Sequence, residues 1–273
     1  MTLLTSTAPS TNSPSPEAPP AVGAPAQPEA RSALEDAVGR GGFDPTTFKF
    51  RKYGWLAMAR RSGREGDEWA TEFMTTPLPT LILWSTRALE FLRKHEVEEG
   101  RELLLKVQRH MADLEAQGGD LPLMVPRRWT LGILAYLHYL DRRYDEALDT
   151  LDRAESAVCE VVATYPFLAE LAMVGRDFAV QRARVYRCQR EWVSCLESLE
   201  AARGMIRGDV ALLRLGDGRK VFVHDVVGYF RSLDLNAEEH EALDYYFDPE
   251  RNLVDFTRQT NSLGVPPGFV VPY

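Results

Sequence analysis

The adjacent residues His224-Asp225 are of the kind that bind a metal ion in phosphohydrolases. A hydrolytic metal site also needs further histidine and carboxylate ligands on neighbouring helices. The other histidines are scattered, and none has a clear helical partner at ligand spacing. The chain also has no phosphate-binding loop, no G-x-S-x-G motif and no H-E-x-x-H motif. The sequence therefore predicts neither catalysis nor a metal or cofactor site.

A pattern of small and large apolar residues recurs three times within residues 80–206, with a period of about 47 residues. In the middle copy, residues 131–154, two amphipathic runs are joined by the polar turn 141–143. Small residues such as Ala135 and Ala147 suit two antiparallel helices that cross closely, because alanine adds no bulk at the contact. The sequence therefore predicts a mostly α-helical protein with three long helical hairpins, which bury a continuous core by stacking.

The three copies resemble the tetratricopeptide repeat, a family of helical hairpins with small residues at fixed positions. The matching residues are Trp84, Ala88, Phe91 and Gly100 in the first copy, Ala135, Tyr144, Ala147, Leu151 and Ala154 in the second, and Ala183, Tyr186, Trp192, Cys195 and Ala202 in the third. The period is longer than the 34 residues of that family. The resemblance implies a right-handed stack of about three antiparallel hairpins, an α-solenoid, with unusually long helices.

In tetratricopeptide repeats the first helices of successive hairpins line a concave groove that binds peptides. Carrying this arrangement over places six aromatic or basic residues on the groove: Arg93, Trp129, Tyr136, Tyr139, Arg184 and Arg187. Aromatic rings supply contact area, and a guanidinium can bind a carboxylate through two parallel hydrogen bonds. The resemblance therefore implies a non-catalytic scaffold or adaptor, in regulation or assembly, for a protein or peptide that is acidic. In the competing interpretation the tyrosines belong to the core and the arginines form a solvated face.

The chain divides into four predicted segments. Residues 1–30 are rich in proline, alanine, serine and threonine and are predicted to be a disordered tail, because they have almost nothing to bury. Residues 31–79 are predicted to form an N-terminal helical cap, residues 80–206 the repeats, and residues 207–273 a C-terminal module packed on the repeats. Basic and aromatic residues are interleaved over 47–61. This run is predicted to pack on the first repeat as a cap. The alternatives are a surface that binds RNA or an acidic partner and a dimer face.

The C-terminal module has its own local signals. The turn Asp217-Gly218 between two apolar runs predicts a β-hairpin. Helices are predicted over 225–233 and 237–247, with Asn236 capping the second. Residues 248–250 are predicted to be a turn, and the apolar end of the chain to pack back on the body. A pocket between this module and the repeats would suit an enzyme or a small-molecule sensor, which is the alternative function.

Composition and charge narrow the choice of partner and compartment. The formal net charge of -8 argues against general nucleic-acid binding, which needs a basic face. The three cysteines, Cys159, Cys188 and Cys195, lack metal-ligand spacing and indicate reduced thiols. No charged and apolar leader is present, and no apolar run is long enough for a membrane helix. We expect a cytoplasmic protein without nucleic-acid or membrane partners, in an oligomeric state that includes the homodimer as one option.

Overall fold

The structure, a computed structural model, describes residues 54–118 and 121–261. These residues form eleven α-helices, one 3-10 helix and a two-stranded antiparallel pair, so the mostly helical fold is confirmed. The predicted disordered tail, 1–30, lies outside the described residues, as do residues 31–53 of the predicted cap. No helix in the described ranges is both long enough and apolar enough to cross a membrane.

Six consecutive helices form three pairs with short turns inside each pair. They are α3 (Leu78–Arg93) with α4 (Val97–Ala116), α5 (Met124–Leu140) with α6 (Tyr144–Thr164), and α7 (Val174–Gln189) with α8 (Trp192–Arg207). They are preceded by α1 (Gly54–Arg61) and α2 (Arg64–Thr75). The 3-10 helix Pro166–Met173 lies between the second and third pairs.

The chain continues with β1 (Leu213–Arg214), β2 (Lys220–Val221), α9 (Val223–Arg231), α10 (Ala237–Tyr246) and α11 (Pro249–Asn261). Strands β1 and β2 pair antiparallel, with Leu213 opposite Val221. This hairpin turns at the predicted residues 217–218. The Asn236 side chain accepts a hydrogen bond from the N–H of Glu239 at 2.9 Å, which confirms the predicted cap of α10.

Helix α11 was not expected from the sequence, and the prediction of a simple turn over 248–250 is wrong. The Asp248 carboxylate accepts a hydrogen bond from the N–H of Glu250 at 2.9 Å, and Pro249 is the first residue of the helix. The fixed φ of proline is suited to a first helical turn, so this sequence begins a helix. Phe256 of α11 is buried against α7 and α8, and residues 262–273 lie outside the described part of the chain.

The helices within each pair pack closely, and the pairs contact one another through α3 with α5 and α6 with α7. The small residues predicted at the helix crossings are buried: Ala88, Gly100, Ala135, Ala147, Ala183 and Cys195. Polar side chains also link successive pairs. The hydroxyls of Ser85 and Thr130 are 2.9 Å apart in the buried contact between α3 and α5. Arg101 donates two hydrogen bonds of 2.9 Å to Asp141.

One hydrophobic cluster extends through most of the described chain. It includes Leu56 of α1, Leu151 of α6, Phe230 of α9 and Leu243 of α10. Because side chains from both ends of the described chain share this cluster, the C-terminal helices are bound to the rest by apolar burial, the main favourable term in folding.

The three turns inside the helix pairs have the same backbone geometry. His95, Arg142 and Arg190 each have a positive φ, of 65°, 60° and 64°, and lie 47 and 48 residues apart. In each turn the following N–H donates to a carbonyl five residues back, as from Glu96 to Phe91 at 3.0 Å. This is the Schellman arrangement, which usually has glycine at the left-handed position. Here it is built three times with side chains that disfavour that conformation.

Glycine at these positions should therefore stabilise the protein. We expect His95→Gly and Arg142→Gly each to raise the free energy of unfolding by about 0.5–1 kcal/mol, because glycine adopts positive φ without steric cost. Urea denaturation followed by circular dichroism measures the change. Glu96→Gly is the matched control, since Glu96 has a φ of -84°. That variant should be less stable, and a gain there equal to the gain at His95 would contradict the conformational explanation.

Candidate functional site

A groove with a volume of about 550 Å³ lies where α3, α5 and α7 meet the 3-10 helix. Four of the six predicted residues line it: Arg93, Trp129, Tyr136 and Arg184. Arg93 and Arg184 are exposed, so the groove opens to solvent. We call this site the α3–α5–α7 groove.

Helical periodicity explains why these side chains share the groove. On α5, Trp129, Gly132 and Tyr136 are spaced three and four residues apart and lie on one face. Other faces of α5 pack into the core through residues such as Leu131 and Ala135. On α7, the spacing of Asp177, Gln181 and Arg184 gives another single face that lines the groove.

Tyr139 and Arg187 do not line the groove. The Cys188 thiol donates a hydrogen bond to the Tyr139 hydroxyl across 3.8 Å, and burial raises the pKa of the Tyr139 phenol. The Tyr139 and Tyr136 rings are stacked with their centroids 6.2 Å apart. Tyr139 and Arg187 have the same position within their helices as Leu92, which is fully buried in the first copy. At this position in the helix, the side chains of Tyr139 and Arg187 point away from the groove and toward the adjacent helices.

The groove is basic although the protein is acidic. It contains four arginines, Arg93, Arg128, Arg176 and Arg184, and two acids, Glu170 and Asp177. Arg176 is already paired with Asp177 at 3.3 Å, and both side chains are accessible to solvent. The remaining excess of positive charge favours an anionic partner, since opposite charges attract most strongly where water is partly excluded.

The groove floor holds two ionisable groups that the sequence analysis missed: Arg128, which is buried, and Glu170, which is partly exposed but has one buried carboxylate oxygen. Arg128 is 8% exposed, and its guanidinium carbon lies 4.1 Å from the centre of the Trp129 ring. Its Nε and the Glu170 Oε2 are buried and have no hydrogen-bond partner in the described part of the chain. Burial lowers the pKa of Arg128 to about 9 and raises the pKa of Glu170 to about 8. One sequence signal for Arg128 existed, because it interrupts the apolar stripe of Val125 and Leu131.

A second cavity, of about 610 Å³, lies between α6 and the β1–β2 hairpin. Its charged lining is mainly acidic, but Asp152 and Glu155 are bound by Arg182 at 2.7 and 2.5 Å. The Cys159 thiol in this cavity donates to the carbonyl oxygen of Arg214 at 3.3 Å. Its polar groups are thus largely satisfied within the protein, unlike those on the floor of the α3–α5–α7 groove.

The residues considered for metal chemistry have a structural role. The Asp225 carboxylate accepts a hydrogen bond from the N–H of Phe222 at 2.7 Å, at the start of α9. The His224 ring stacks on Phe222, and His224 Nε2 lies 3.7 Å from the Asp225 carboxylate. Within residues 54–118 and 121–261, no three histidine, cysteine or acidic residues come together as a metal site would require.

Comparisons of this chain with protein-family models, with curated proteins and with solved structures found no match. Function must therefore be inferred from the site, because a helical fold alone is compatible with many functions. The α3–α5–α7 groove combines aromatic rings, an excess of arginine and two buried polar atoms that have no hydrogen-bond partner within residues 54–118 and 121–261.

Proposed function

We propose that this protein is a non-catalytic adaptor that binds an acidic segment of another protein in the α3–α5–α7 groove. The observation that carries the proposal is the convergence of three helices, each the first of its pair, on one groove with Trp129, Tyr136 and four arginines. Large aromatic and arginine side chains supply most of the energy in many protein interfaces. A carboxylate-rich segment would complement both kinds of side chain.

The proposal includes a tetratricopeptide-like arrangement of residues 80–206. Two regularities support it: the left-handed turn residues recur at 47 and 48 residues, and small residues are buried at equivalent positions of the three helix pairs. In such an arrangement the first helices face one concave surface, which a partner segment can follow. We place the partner along α3, α5 and α7 in this order, so that it crosses the exposed Arg93 and Arg184.

Reversal of charge in the groove should abolish binding. We expect the double variant Arg93→Glu/Arg184→Glu to weaken binding of an acidic partner by at least about tenfold, because two attractions become repulsions. The matched control is Arg87→Glu/Arg153→Glu, which makes the same change in net charge at exposed positions outside the groove. Partners are captured from the native extract with each form of the protein and identified by mass spectrometry, after circular dichroism has established folding.

A partner that is retained by the control variant and lost with the groove variant supports the proposal, provided that the bound segment, mapped by cross-linking, is acidic. Equal loss with both variants would indicate a general charge effect and would contradict the groove. Equal retention of the partner by both variants would show that it binds at another surface.

A small-molecule sensor is the second candidate, and one residue favours it. Tyr246 of α10 also lines the groove, so the C-terminal helices contribute to this site. Burial raises the pKa of the Tyr246 phenol, which therefore stays neutral. Native mass spectrometry of the purified protein distinguishes the two functions, since a bound metabolite adds a discrete mass whereas a protein partner is retained from extract.

A further inference from the structure

We infer that Arg128 and Glu170 together form a subsite for one side-chain carboxylate of the bound segment, at the floor of the α3–α5–α7 groove. This inference rests on the proposed function and specifies which chemical group the groove recognises. The two residues come from different elements, α5 and the 3-10 helix, and both line the groove.

The geometry leaves both groups incomplete. Among the described residues, Arg128 makes a cation–π contact with Trp129, but its buried Nε has no hydrogen-bond partner, and neither has the buried Oε2 of Glu170. Buried polar groups are nearly always hydrogen-bonded, because loss of hydration without a replacement partner is costly. Two such atoms at one cavity, which do not hydrogen-bond to each other, mark a place for a ligand group that contacts both.

The protonation states favour an anion as that group. Near neutral pH the Arg128 guanidinium is charged, while burial raises the pKa of Glu170 to about 8, so its carboxyl group is largely protonated. The ionisable groups near Glu170 on other elements are Arg128, Tyr229 of α9 and Tyr246 of α10, and burial raises the pKa of both phenols. A bound carboxylate would thus accept one hydrogen bond from Arg128 and one from the Glu170 O–H.

The distribution of arginines favours an acidic side chain over a chain terminus. Arg93 lies on α3, Arg128 on α5, and Arg176 and Arg184 on α7. A terminus supplies a single carboxylate, whereas an internal acidic segment can place several along the three helices. The carboxylate at Arg128 is then the anchor, and the exposed arginines bind its neighbours.

The first arm of the experiment needs no ligand. If Arg128 serves binding, its unpaired buried charge destabilises the free protein, and Arg128→Met should raise the midpoint of thermal unfolding by about 3 °C or more at pH 7. A lower midpoint would show that Arg128 supports the fold, and would overturn the inference.

The second arm measures binding by isothermal titration calorimetry. The probe is a heptapeptide of alternating glutamate and leucine with acetylated and amidated ends, and its control has glutamine for glutamate. We expect Arg128→Met to weaken binding of the acidic probe by about tenfold or more. Arg87→Met, an exposed arginine on α3 outside the groove, is the matched control and should leave affinity within about twofold.

Glu170 gives the readout that a merely structural residue would not. Because the protonated form binds, affinity should be constant from pH 6 to 7 and about fourfold lower at pH 8.5, as expected for one group with a pKa of about 8. Glu170→Gln keeps a donor at all pH values and should lose less than about twofold in affinity between pH 6.5 and pH 8.5, the small loss expected from Arg128 with its pKa of about 9. Affinity that rises with pH, with weaker binding by Glu170→Gln, would instead identify a cationic ligand group and overturn the inference.

The two levels of the proposal fail differently. If the acidic probe binds wild type and Arg128→Met equally, but not Arg93→Glu/Arg184→Glu, the subsite is wrong and the acidic groove stands. If wild type binds neither probe at millimolar concentrations, or both equally, the acidic-segment function itself is wrong.

Discussion

Alanine in place of Gly175 should lower the free energy of unfolding by about 3 kcal/mol, the upper range for inserting a methyl group into a packed contact. Gly175 lies in the first turn of α7, and a Cβ there would come 2.1 Å from the carbonyl oxygen of Leu212 and 2.9 Å from its carbon. The obstacle is backbone, and it is fixed, because the N–H of Leu212 donates to the carbonyl of Val221 at 2.7 Å. The β1–β2 hairpin would have to move away from α7.

The matched control is Gly228→Ala. Gly228 is exposed in α9, and apart from the backbone of its own helix no atom of the described residues lies within 4 Å of the position of its missing Cβ. The same methyl group should there raise the free energy of unfolding by about 1 kcal/mol, through better helix propensity. Both variants are measured by urea denaturation with a common slope. A Gly175 variant as stable as wild type would show that the hairpin is not held against α7.

The Gly175 change should also affect the groove. Its neighbours Val174 and Arg176 line the α3–α5–α7 groove, so a displaced first turn of α7 alters the wall that would contact a partner. We therefore expect weaker capture of the partner by this variant even at temperatures where it remains folded. Retained capture with reduced stability would show that the hairpin contact and the groove are independent.

Truncation of Phe230 to alanine should destabilise the protein by about 3–5 kcal/mol, the usual loss for a buried aromatic ring. Phe230 is fully buried, and its ring centroid lies 5.8 Å from those of Tyr229 and Phe247. It belongs to the cluster that also contains Leu56 and Leu151. For a chain of this size the midpoint of thermal unfolding should fall by on the order of 10 °C.

Calorimetry of this variant also reports how the C-terminal helices are coupled to the rest. Because one apolar cluster includes residues from α1 to α10, we expect a single transition that shifts as a whole. A separate early transition for the C-terminal part would contradict a shared core. Val254→Ala is the control, since Val254 is 51% exposed in α11 and its truncation should change stability by at most about 0.5 kcal/mol.

The features that the sequence predicted correctly are those with local causes. The small residues of the three copies are buried at helix contacts, and the turn residues, 47 and 48 apart, recur as predicted. Asn236 caps a helix because its side chain reaches an N–H three residues later. The turn predicted at Pro249 failed for the same kind of reason, since proline suits both a turn and a first helical position and local sequence did not distinguish them.

The groove could be predicted only in part. The residues carried over from the repeat resemblance include Trp129, Tyr136 and Arg184, which line one cavity. The exclusion of Tyr139 and Arg187 depended on how each helix is rotated against its neighbours, which periodicity alone does not determine. The stack and its partner remain predictions for the experiments above.

The sequence by itself determined the helical class and the position and spacing of the turns inside the helix pairs, because these follow from hydrogen bonds and apolar spacing within about fifty residues. Only the tertiary structure decided that Arg128 and Glu170, far apart in the chain, lie together at the floor of one groove. The burial of Arg128 and of the Glu170 carboxylate oxygen, and the pKa values of both groups, arise from the packing of separate elements around them. No local pattern specifies that packing, since desolvation depends on which distant side chains exclude the water.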